Sequence, residues 1–423
     1  MITKSTHFDV IIVGAGLAGS SMAAALSSLP ISIALIEAVE IPLQQSPSFD
    51  DRALALSLGS LRVLNTLGVT GSLAPSSLTP IKNIHVSDRG HAGFLRLSHT
   101  EVATESLGSV VAARDLGLAL QTFLSLDDAS ATTADITSFS PAVVSTIVHR
   151  SSGAHIDIDH QGQSCQLSAS LVILADGGRS PLTKVMGIDS DTKHYQQTGV
   201  LANIRADKPH RNQAYERFTC DGPIALLPLR DQDYKLVWTV PSHRSEAMMA
   251  LHDTDFLSQI QEAFGDRAGK FIQVGKRQNY PMTESSKKQM SAGRVVLIGN
   301  AAHTLHPIAG QGFNLGLRDV ACLAELIAEA ISLGKDIGAP GLLANYQALR
   351  QRDINNTAQF TDGLVRLFSN NNLPLAALRN IGLLALDRLP FAKRDVMRKM
   401  MGLSGWQSKL MRGIALQSEV IDD

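Results

Sequence analysis

The sequence predicts an α/β fold, in which a parallel sheet flanked by helices is interrupted by an antiparallel β-sheet and followed by C-terminal helices. Three observations predict it: an apolar strand–helix–strand unit at the N-terminus, two later apolar runs that each end in a glycine turn, and alternating segments between these runs. The chain has 423 residues, 44% of them hydrophobic, and is therefore long enough to bury a large core.

The N-terminal unit begins with residues 8–13, Phe-Asp-Val-Ile-Ile-Val, a short β-branched run typical of a strand buried on both faces of an all-parallel sheet. Residues 17–29 are rich in alanine and are followed by a proline, which favours a helix, and residues 31–36 predict the next strand. The same buried-strand pattern returns in residues 169–175 and 294–298. We therefore expect three separate stretches of the chain to contribute to one sheet.

Between these stretches, four segments alternate apolar and polar residues: 195–204, 215–218, 224–229 and 235–240. Such alternation predicts an antiparallel sheet with one covered face, inserted into the first domain. From Asp319 onward, apolar residues recur at helical spacing, so the last part of the chain is expected to be mostly helical.

Charge and cysteine content exclude several classes of function. The 38 Lys and Arg residues balance 39 Asp and Glu residues, so no overall field draws the chain to nucleic acid. Three widely spaced cysteines without a paired motif favour a reducing, cytoplasmic location over a disulfide framework or zinc site. No apolar run reaches the roughly 20 residues of a transmembrane helix, so at most a peripheral position on the inner membrane is expected.

The glycines of the first turn, Gly14, Gly16 and Gly19, lie between the first predicted strand and helix, and Glu37 ends the second strand. This is the dinucleotide fingerprint in its proper context: glycines let a pyrophosphate approach the helix N-terminus, and the acid accepts hydrogen bonds from a ribose. An acid at this position disfavours a 2′-phosphate. The motif by itself therefore predicts FAD or NAD rather than NADP.

Two later glycine-containing motifs decide between these cofactors. Asp176-Gly177 follows one buried strand, and Gly299-Asn300 follows another, ahead of the run 303–316, His-Thr-Leu-His-Pro-Ile-Ala-Gly-Gln-Gly-Phe-Asn-Leu-Gly. Across nearly its whole length the chain resembles the flavoprotein aromatic hydroxylases of the para-hydroxybenzoate hydroxylase fold. Among them, this run is most similar to the hydroxylases of ubiquinone biosynthesis.

The resemblance implies three parts, a Rossmann-like FAD-binding domain, a β-sheet domain for substrate and a C-terminal helical segment. The FAD-binding domain is expected to be discontinuous, and the expected boundaries are 1–80, 105–185 and 280–365 for FAD, 81–104 and 186–279 for substrate, and 366–423 for the helical segment.

The resemblance also implies the residues that hold FAD, carried over position by position. They are Gly14, Gly16, Gly19, Glu37, Arg52, Arg114, Asp176, Gly177, Gly299, Asn300, Gly310, Gly312, Phe313 and Asn314. One position departs from the family, because Asn300 replaces the aspartate that hydrogen-bonds the ribityl chain. Asn keeps an oxygen acceptor, so we expect the contact to survive without the charge.

The expected catalytic positions are Pro307, which matches the family proline whose carbonyl faces the substrate ring, and His306, a candidate base together with His303. The alternatives are a plain helix-entry proline and hydrogen-bonded structural histidines. The substrate cavity is expected on the inserted sheet, with the ordinary core of that sheet as the alternative for the same residues. Its candidate wall consists of Phe218, Pro223, Leu227 and Pro228.

The implied reaction is hydroxylation of a polyprenylated phenol, with 2-polyprenyl-6-methoxyphenol as the expected substrate, by O2 and NAD(P)H through a flavin C4a-hydroperoxide. The resemblance favours NADPH as a transient reductant, but NADH stays open. Two alternatives stay open as well: a sister enzyme acting at another ring position or on another aromatic compound, and a catalytically silent flavoprotein scaffold, which only the departure at Asn300 favours.

The segment 373–403 interleaves leucines and methionines with five cations, Arg388, Lys393, Arg394, Arg398 and Lys399, against two aspartates. One interpretation is a set of helices packed on the catalytic body, with cationic side chains reaching solvent. The other is a basic amphipathic surface for anionic lipid or for another protein of ubiquinone biosynthesis.

Overall fold

The computed structural model describes residues 6–40, 52–125, 133–150, 152–178, 180–305, 310–368 and 373–416. The first sheet contains eight strands: β1 (Thr6–Val13), β2 (Ser32–Ile36), β8 (Asp135–Phe139), β9 (Ala142–Arg150), β10 (Gly153–His160), β11 (Gln163–Leu174), β18 (Ser291–Ala292) and β19 (Val295–Leu297). Its main order is β18-β19-β11-β1-β2-β8, with β10 paired to β11 and β9 to β10. The mixed α/β fold confirms the fold class expected from the sequence.

Strand β1 lies at the centre of this sheet because its apolar residues are covered on both faces. Val10, Ile11 and Ile12 have no exposed surface, and burying each side chain contributes about 1.5–3 kcal/mol. Strands β2 and β11 run parallel to β1 on either side, with Val10 opposite Ile33 and Leu171. The three expected stretches therefore do form one sheet.

The expectation that this sheet is all-parallel is wrong. Strands β9, β10 and β11 form an antiparallel meander, in which His155 pairs with Ser168, and β18 runs antiparallel to β19. The apolar pattern of residues 169–175 applies only to the second half of β11. Its first half carries polar residues and extends past β1 to pair with β10.

The second sheet contains nine strands: β5 (Asn83–Asp88), β6 (Phe94–Ser98), β12 (Ser190–Ala206), β13 (Gln213–Phe218), β14 (Pro223–Pro228), β15 (Asp233–Pro241), β16 (Phe271–Val274), β17 (Gln278–Lys287) and β20 (His303–Thr304). Its order is β20-β17-β12-β15-β14-β13-β5-β6, with β16 paired to β12. All pairs are antiparallel except β13 with β5. The four alternating segments correspond to β12–β15, so the predicted antiparallel sheet is confirmed.

A third, small sheet has the order β3-β7-β4: β3 (Ala53–Ser57), β4 (Leu78–Ile81) and β7 (Gly108–Ala112). The helices are α1 (Leu17–Leu26), α2 (Leu58–Thr66), α3 (Ala113–Ser125), α4 (Leu182–Val185), α5 (Ser242–Ala250), α6 (Asp253–Phe264), α7 (Gln311–Ser332), α8 (Pro340–Phe368), α9 (Leu373–Arg388) and α10 (Pro390–Met400). Short 3-10 turns occur at Val69–Ser72, Pro75–Ser77, His99–Val102, Gly299–Ala301 and Leu410–Arg412. The four last helices confirm the expected helical C-terminal part.

Two faces of the second sheet have different surroundings. On one face, Trp238 and Leu236 pack against Phe256 and Ile260 of α6. On the opposite face, which we call the inner face, Leu227 packs against residues of the third sheet, and other side chains meet α9 and α10. The inner face is therefore the side of this sheet that lies toward the rest of the chain.

The predicted domain boundaries remain predictions, although the sheets follow a similar division. Strands β5, β6 and β12–β16 belong to the second sheet, but β17 crosses the boundary at 279 and β20 adds a further strand. Within the residues that the structure describes, no helix combines the length and the apolar character needed to cross a membrane.

Candidate functional site

The first turn, between β1 and α1, uses its three glycines in different ways. Gly14 has a φ of +101°, and a Cβ there would lie 2.7 Å from the carbonyl oxygen of Ala175. A Cβ on Gly19 would lie 1.8 Å from the oxygen of Gly14. Gly16, the N-cap of α1, faces open space instead, with no protein atom within 4 Å of its Cβ position. Gly14 and Gly19 thus close the turn, and Gly16 leaves room for a diphosphate over the helix N-terminus.

The carboxylate of Glu37 lies beside this turn. One oxygen accepts a hydrogen bond from the Ala15 N–H at 2.7 Å, and the other accepts one from the Val39 N–H at 3.3 Å. The side chain is therefore oriented by the turn itself. Each carboxylate oxygen has a second lone pair, with which it can accept a hydrogen bond from a ribose hydroxyl.

The second turn follows β11. Asp176 Oδ1 accepts a hydrogen bond from the Gly178 N–H at 2.9 Å, and its other oxygen accepts one from the Ser180 hydroxyl. Gly177 and Gly178 have positive φ angles of 74° and 71°, which favour glycine. The aspartate is thus fixed inside its own turn.

The third turn follows β19 and contacts the other two. A Cβ on Gly299 would lie 3.1 Å from Cβ of Ala18, and a Cβ on Gly178 would lie 3.0 Å from the backbone carbonyl oxygen of Asn300. The Asn300 side chain is exposed. All three turns lie at the carboxyl ends of parallel strands, which is where open α/β sheets bind ligands.

A buried charged network holds the third turn from behind. Asp319 of α7 accepts hydrogen bonds from the Gly299 N–H at 2.9 Å, from His303 Nε2 at 2.6 Å and from Arg350 Nε at 2.7 Å. Burial favours a higher pKa for Asp319, but His303 and Arg350 outweigh it and lower the pKa below the ordinary value. Arg350 also donates to Asp353 at 2.5 Å.

This network assigns His303 a structural position, because its side chain is 1% exposed and faces Asp319. The sequence motifs did not identify Asp319 or Arg350 as residues of the site. The available signal was a carboxylate in the middle of an apolar helical stripe, which needs a buried partner. The other candidate base, His306, and Pro307 lie outside the described residues.

The N-terminus of α7 is fixed by Asn314. Its Oδ1 accepts a hydrogen bond from the Ser57 N–H at 2.8 Å, and its Nδ2 donates to the carbonyls of Ala55 and Gly310, both at 2.8 Å. Gly310 has a φ of +60°, and a Cβ on Gly312 would contact no protein atom within 4 Å. The first turn of α7 is therefore rigidly placed, with open space beside Gly312.

The remaining expected cofactor residues are Phe313, Arg52 and Arg114. Phe313 packs in the apolar cluster of Leu56. Arg52, the residue before β3, is exposed; burial raises the pKa of Tyr280 on β17, and the charge of Arg52 partly offsets this increase. Arg114 Nε donates to Asp115 at 3.0 Å.

The four expected cavity residues do not share one surface. Leu227 packs on the inner face with Ala53 and Ala55. Phe218 lies on the inner face as well, in a separate cluster with residues of α9 and α10. Pro223 is buried and pairs with Phe218 across β13 and β14, so it lies on the inner face as well. Pro228 pairs with Tyr234, whose ring lies in the core beneath α6.

The structure corrects the basic C-terminal set. Lys393 is buried, and its Nζ lies 2.8 Å from Glu101 and 3.6 Å from Asp387. Lys399 is exposed but pairs with Asp395 at 2.9 Å. Lys393 is therefore a packing residue rather than part of a cationic surface.

The family model described as an FAD binding domain matches residues 7–361. The chain is 37% identical over 411 residues to the ubiquinone hydroxylase UbiL of Rhodospirillum rubrum, covering 96% of this chain and 93% of that protein. It is 29% identical to 3-demethoxyubiquinol 3-hydroxylase of Escherichia coli, covering 93% of this chain and 98% of that protein. The crystal structure of p-nitrophenol 4-monooxygenase PnpA from Pseudomonas putida superposes on this chain with a TM-score of 0.78. The two chains are 17% identical, and the superposition covers 95% of this chain and 99% of that one, so the two proteins have the same fold.

Proposed function

Because the chain belongs to the FAD binding domain family and is an FAD-dependent monooxygenase similar to the ubiquinone hydroxylases, we propose that it hydroxylates a polyprenylated phenol in ubiquinone biosynthesis. The expected member of this substrate class is 2-polyprenyl-6-methoxyphenol. O2 and NAD(P)H are the co-substrates of this reaction.

The residues at the three turns fit FAD. Gly16 leaves space where a diphosphate would lie, Glu37 and Asp176 present oriented carboxylates, and Asn300 presents an exposed amide. We assign the diphosphate to the N-terminus of α1 and the ribityl chain to Asn300. When bound, FAD supplies the redox chemistry that takes electrons from NAD(P)H and activates O2.

The N-terminus of α7 supports the placement of the flavin ring. The backbone N–H groups of residues 311–313 have no acceptor one turn earlier in the helix, so their partial positive charge favours a negative group beside them. The open space at Gly312 lets such a group approach. Asn314 keeps these donors fixed, because its side chain ties them to β3.

The observation that carries the proposed substrate class is the meeting of α7 with the inner face of the second sheet. Ala55 lies 3.1 Å from the Cβ position of Gly310, and Ala53 and Ala55 pack in one cluster with Leu227. An apolar wall thus lies next to the helix N-terminus assigned to the flavin. A wall of this kind excludes water and accommodates an apolar aromatic ring.

We propose that α9 and α10 bring this wall to a membrane surface that contains the polyprenyl substrate. Four apolar side chains form an exposed stripe: Leu378 is 65%, Ile381 64%, Leu389 55% and Phe391 89% exposed. Three exposed cations accompany this stripe, Arg388, Arg394 and Arg398. Apolar groups beside cations are complementary to an anionic bilayer surface.

The same helices contact the inner face from their other side. Leu383 of α9 and Met397 of α10 are buried in the cluster of Phe218. One pair of helices therefore has the membrane-facing stripe on one side and the wall of the substrate region on the other. A prenyl chain can reach the inner face along these helices without crossing the whole protein.

The reaction is tested by NAD(P)H oxidation with purified holoenzyme. Vesicle-borne polyprenylphenol should accelerate the oxidation and yield a ring-hydroxylated product, whereas a water-soluble aromatic acid should not. Identification of the hydroxylated carbon separates this reaction from that of a sister enzyme acting at another ring position. Acceleration by the soluble acid alone would contradict the proposed substrate class.

The membrane surface is tested by sedimentation with anionic vesicles. Arg394→Gln with Arg398→Gln should weaken binding by up to about 1 kcal/mol per charge, and high salt should diminish the difference. The matched control neutralises two exposed cations outside α9 and α10, Lys208 and Lys335. Turnover of a soluble short-chain phenol should not change. Equal vesicle binding by both variants would contradict the membrane proposal.

A further inference from the structure

Strand β13 directs a carboxylate onto the inner face. The ring of Tyr215 packs edge-on against Phe264 of α6, with 5.4 Å between ring centroids, so this residue points to the helical side. Ala214 and Phe218 belong to the two apolar clusters of the inner face. Because side chains alternate along a strand, Glu216 projects onto the inner face between these two clusters.

The surroundings of Glu216 follow from the register. Glu216 pairs with Ala225, which pairs with Val237, which pairs with Leu201, so the four side chains form one row across β13, β14, β15 and β12. All four are only partly buried. The inner-face positions in the adjacent rows include six buried residues: Ala214, Lys235, Asn203, Phe218, Pro223 and Thr239. The row of Glu216 is therefore less covered than most positions of the two rows beside it, and we call this row the crevice floor.

Among these four positions Glu216 is the ionisable residue and the other three are apolar; the register continues from Leu201 to the exposed Gln278 of β17. In the described part of the chain its carboxylate has no hydrogen bond and no ion pair. Arg217 points to the opposite face, and Lys235 lies two strands away in the adjacent row. Burial raises the pKa of Glu216 to about 7. A carboxylate in such surroundings is stabilised by any ligand that donates a hydrogen bond to it.

We propose that Glu216 accepts a hydrogen bond from the ring hydroxyl of the aromatic substrate and thereby selects rings that carry a free hydroxyl. This inference rests on the proposed function. The aromatic ring lies along Ala225, Val237 and Leu201, and its hydroxyl meets Glu216, the polar side chain among these four positions. An O-methyl ether of the same size cannot donate this hydrogen bond, so it leaves the carboxylate unpaired.

The test compares a short-chain prenylphenol with its O-methyl ether as ligands of the holoenzyme. Their dissociation constants are measured from the change in flavin absorbance in wild type, Glu216→Gln and Glu216→Leu, at a pH above 7. The control, Glu246→Gln, removes an exposed carboxylate from α5, on the other side of the sheet. Wild type and control should bind the phenol at least about tenfold more tightly than the ether, as a hydrogen bond to a charged group implies.

Glu216→Leu should bind both ligands equally well, and Glu216→Gln should keep part of the preference because its amide oxygen still accepts. Flavin content and melting temperature show whether a variant is folded, and the near-isosteric Gln variant keeps the test valid if Leu is not tolerated. An unchanged preference in a folded variant, or no preference in wild type, would overturn the inference. If wild type hydroxylates no prenylphenol at all, the proposed function fails instead.

Discussion

A single added methyl group at Gly16 should separate cofactor binding from folding. Gly16 has φ −67° and ψ −176°, which alanine adopts freely, and its Cβ position contacts no protein atom within 4 Å. Alanine reduces the entropy of the unfolded chain, worth about 0.4–1 kcal/mol. It is also a poorer N-cap than glycine by a similar amount of about 0.5–1 kcal/mol. These effects oppose each other, so the stability of the apoprotein should change by less than about 1 kcal/mol.

Binding of FAD should respond differently, because the new methyl group occupies the space assigned to the diphosphate. Forcing one extra carbon into a filled site costs about 1–3 kcal/mol. The dissociation constant of FAD should therefore rise about 5- to 150-fold for Gly16→Ala. Gly16→Val should lose FAD altogether. By contrast, Gly19→Ala should destabilise the apoprotein itself, because its Cβ would lie 1.8 Å from the Gly14 oxygen.

The assay is titration of apoprotein with FAD by flavin fluorescence, together with urea unfolding of each apoprotein. Gly341→Ala is the matched control, because its Cβ position in α8 also faces open space, away from the three turns. Normal FAD affinity in Gly16→Ala and full flavin content in Gly16→Val would refute the placement of the diphosphate. So would a loss of apoprotein stability in Gly16→Ala that equals the loss of binding.

Two other positions give sharp expectations. Asn300→Asp should keep FAD, whereas Asn300→Leu should lose affinity by about 1–3 kcal/mol for each polar group left unpaired, as measured by flavin titration; full affinity of the Leu variant would contradict the ribityl contact. Asp319→Asn should lower the free energy of unfolding by about 3–5 kcal/mol, because Arg350 and His303 lose their shared buried partner. Since folding lowers the pKa of Asp319, its stabilisation is complete above the unfolded pKa of about 4 and is lost as pH falls through the folded value. Thermal unfolding at several pH values should show a smaller acid-dependent loss in the variant than in wild type, because other carboxylates with lowered pKa values remain. Identical profiles would contradict the assigned ion pair.

The turns to which we assign the cofactor could be predicted from the sequence because each combines a local apolar strand with glycines at fixed spacing. The βαβ unit around Gly14 and Gly19 needs no information from elsewhere in the chain. The strand before Gly299 was recognisable for the same reason. Local patterns were sufficient wherever one strand and one turn define the geometry.

Features that depend on distant partners could not be predicted in this way. The C-terminal basic pattern of the sequence includes Lys393, yet its charge is neutralised by Glu101, almost 300 residues earlier in the chain. Asp319 likewise obtains its role from His303 and Arg350, which only the packed helices bring together. The all-parallel expectation was wrong because half of β11 extends past β1 and needed other partners.

The cavity residues illustrate a different limit. Leu227 and Pro228 are adjacent in one strand, so their side chains face opposite sides of the sheet and cannot line the same wall. Which of them faces inward depends on the register with β13 and β15, and the sequence does not provide it. The same register places Glu216 on the crevice floor, where apolar periodicity gives no reason to search for a carboxylate.

Hydroxylation of a polyprenylphenol by this protein is tested by following isotopically labelled O2. Purified holoenzyme, NADPH and vesicle-borne 2-polyprenyl-6-methoxyphenol are incubated under labelled O2, and the product is analysed by mass spectrometry. We expect a product with one additional ring hydroxyl that carries one labelled oxygen atom, formed with consumption of one NADPH per product. NADPH consumption that produces only hydrogen peroxide, with the phenol recovered unchanged, would contradict this expectation.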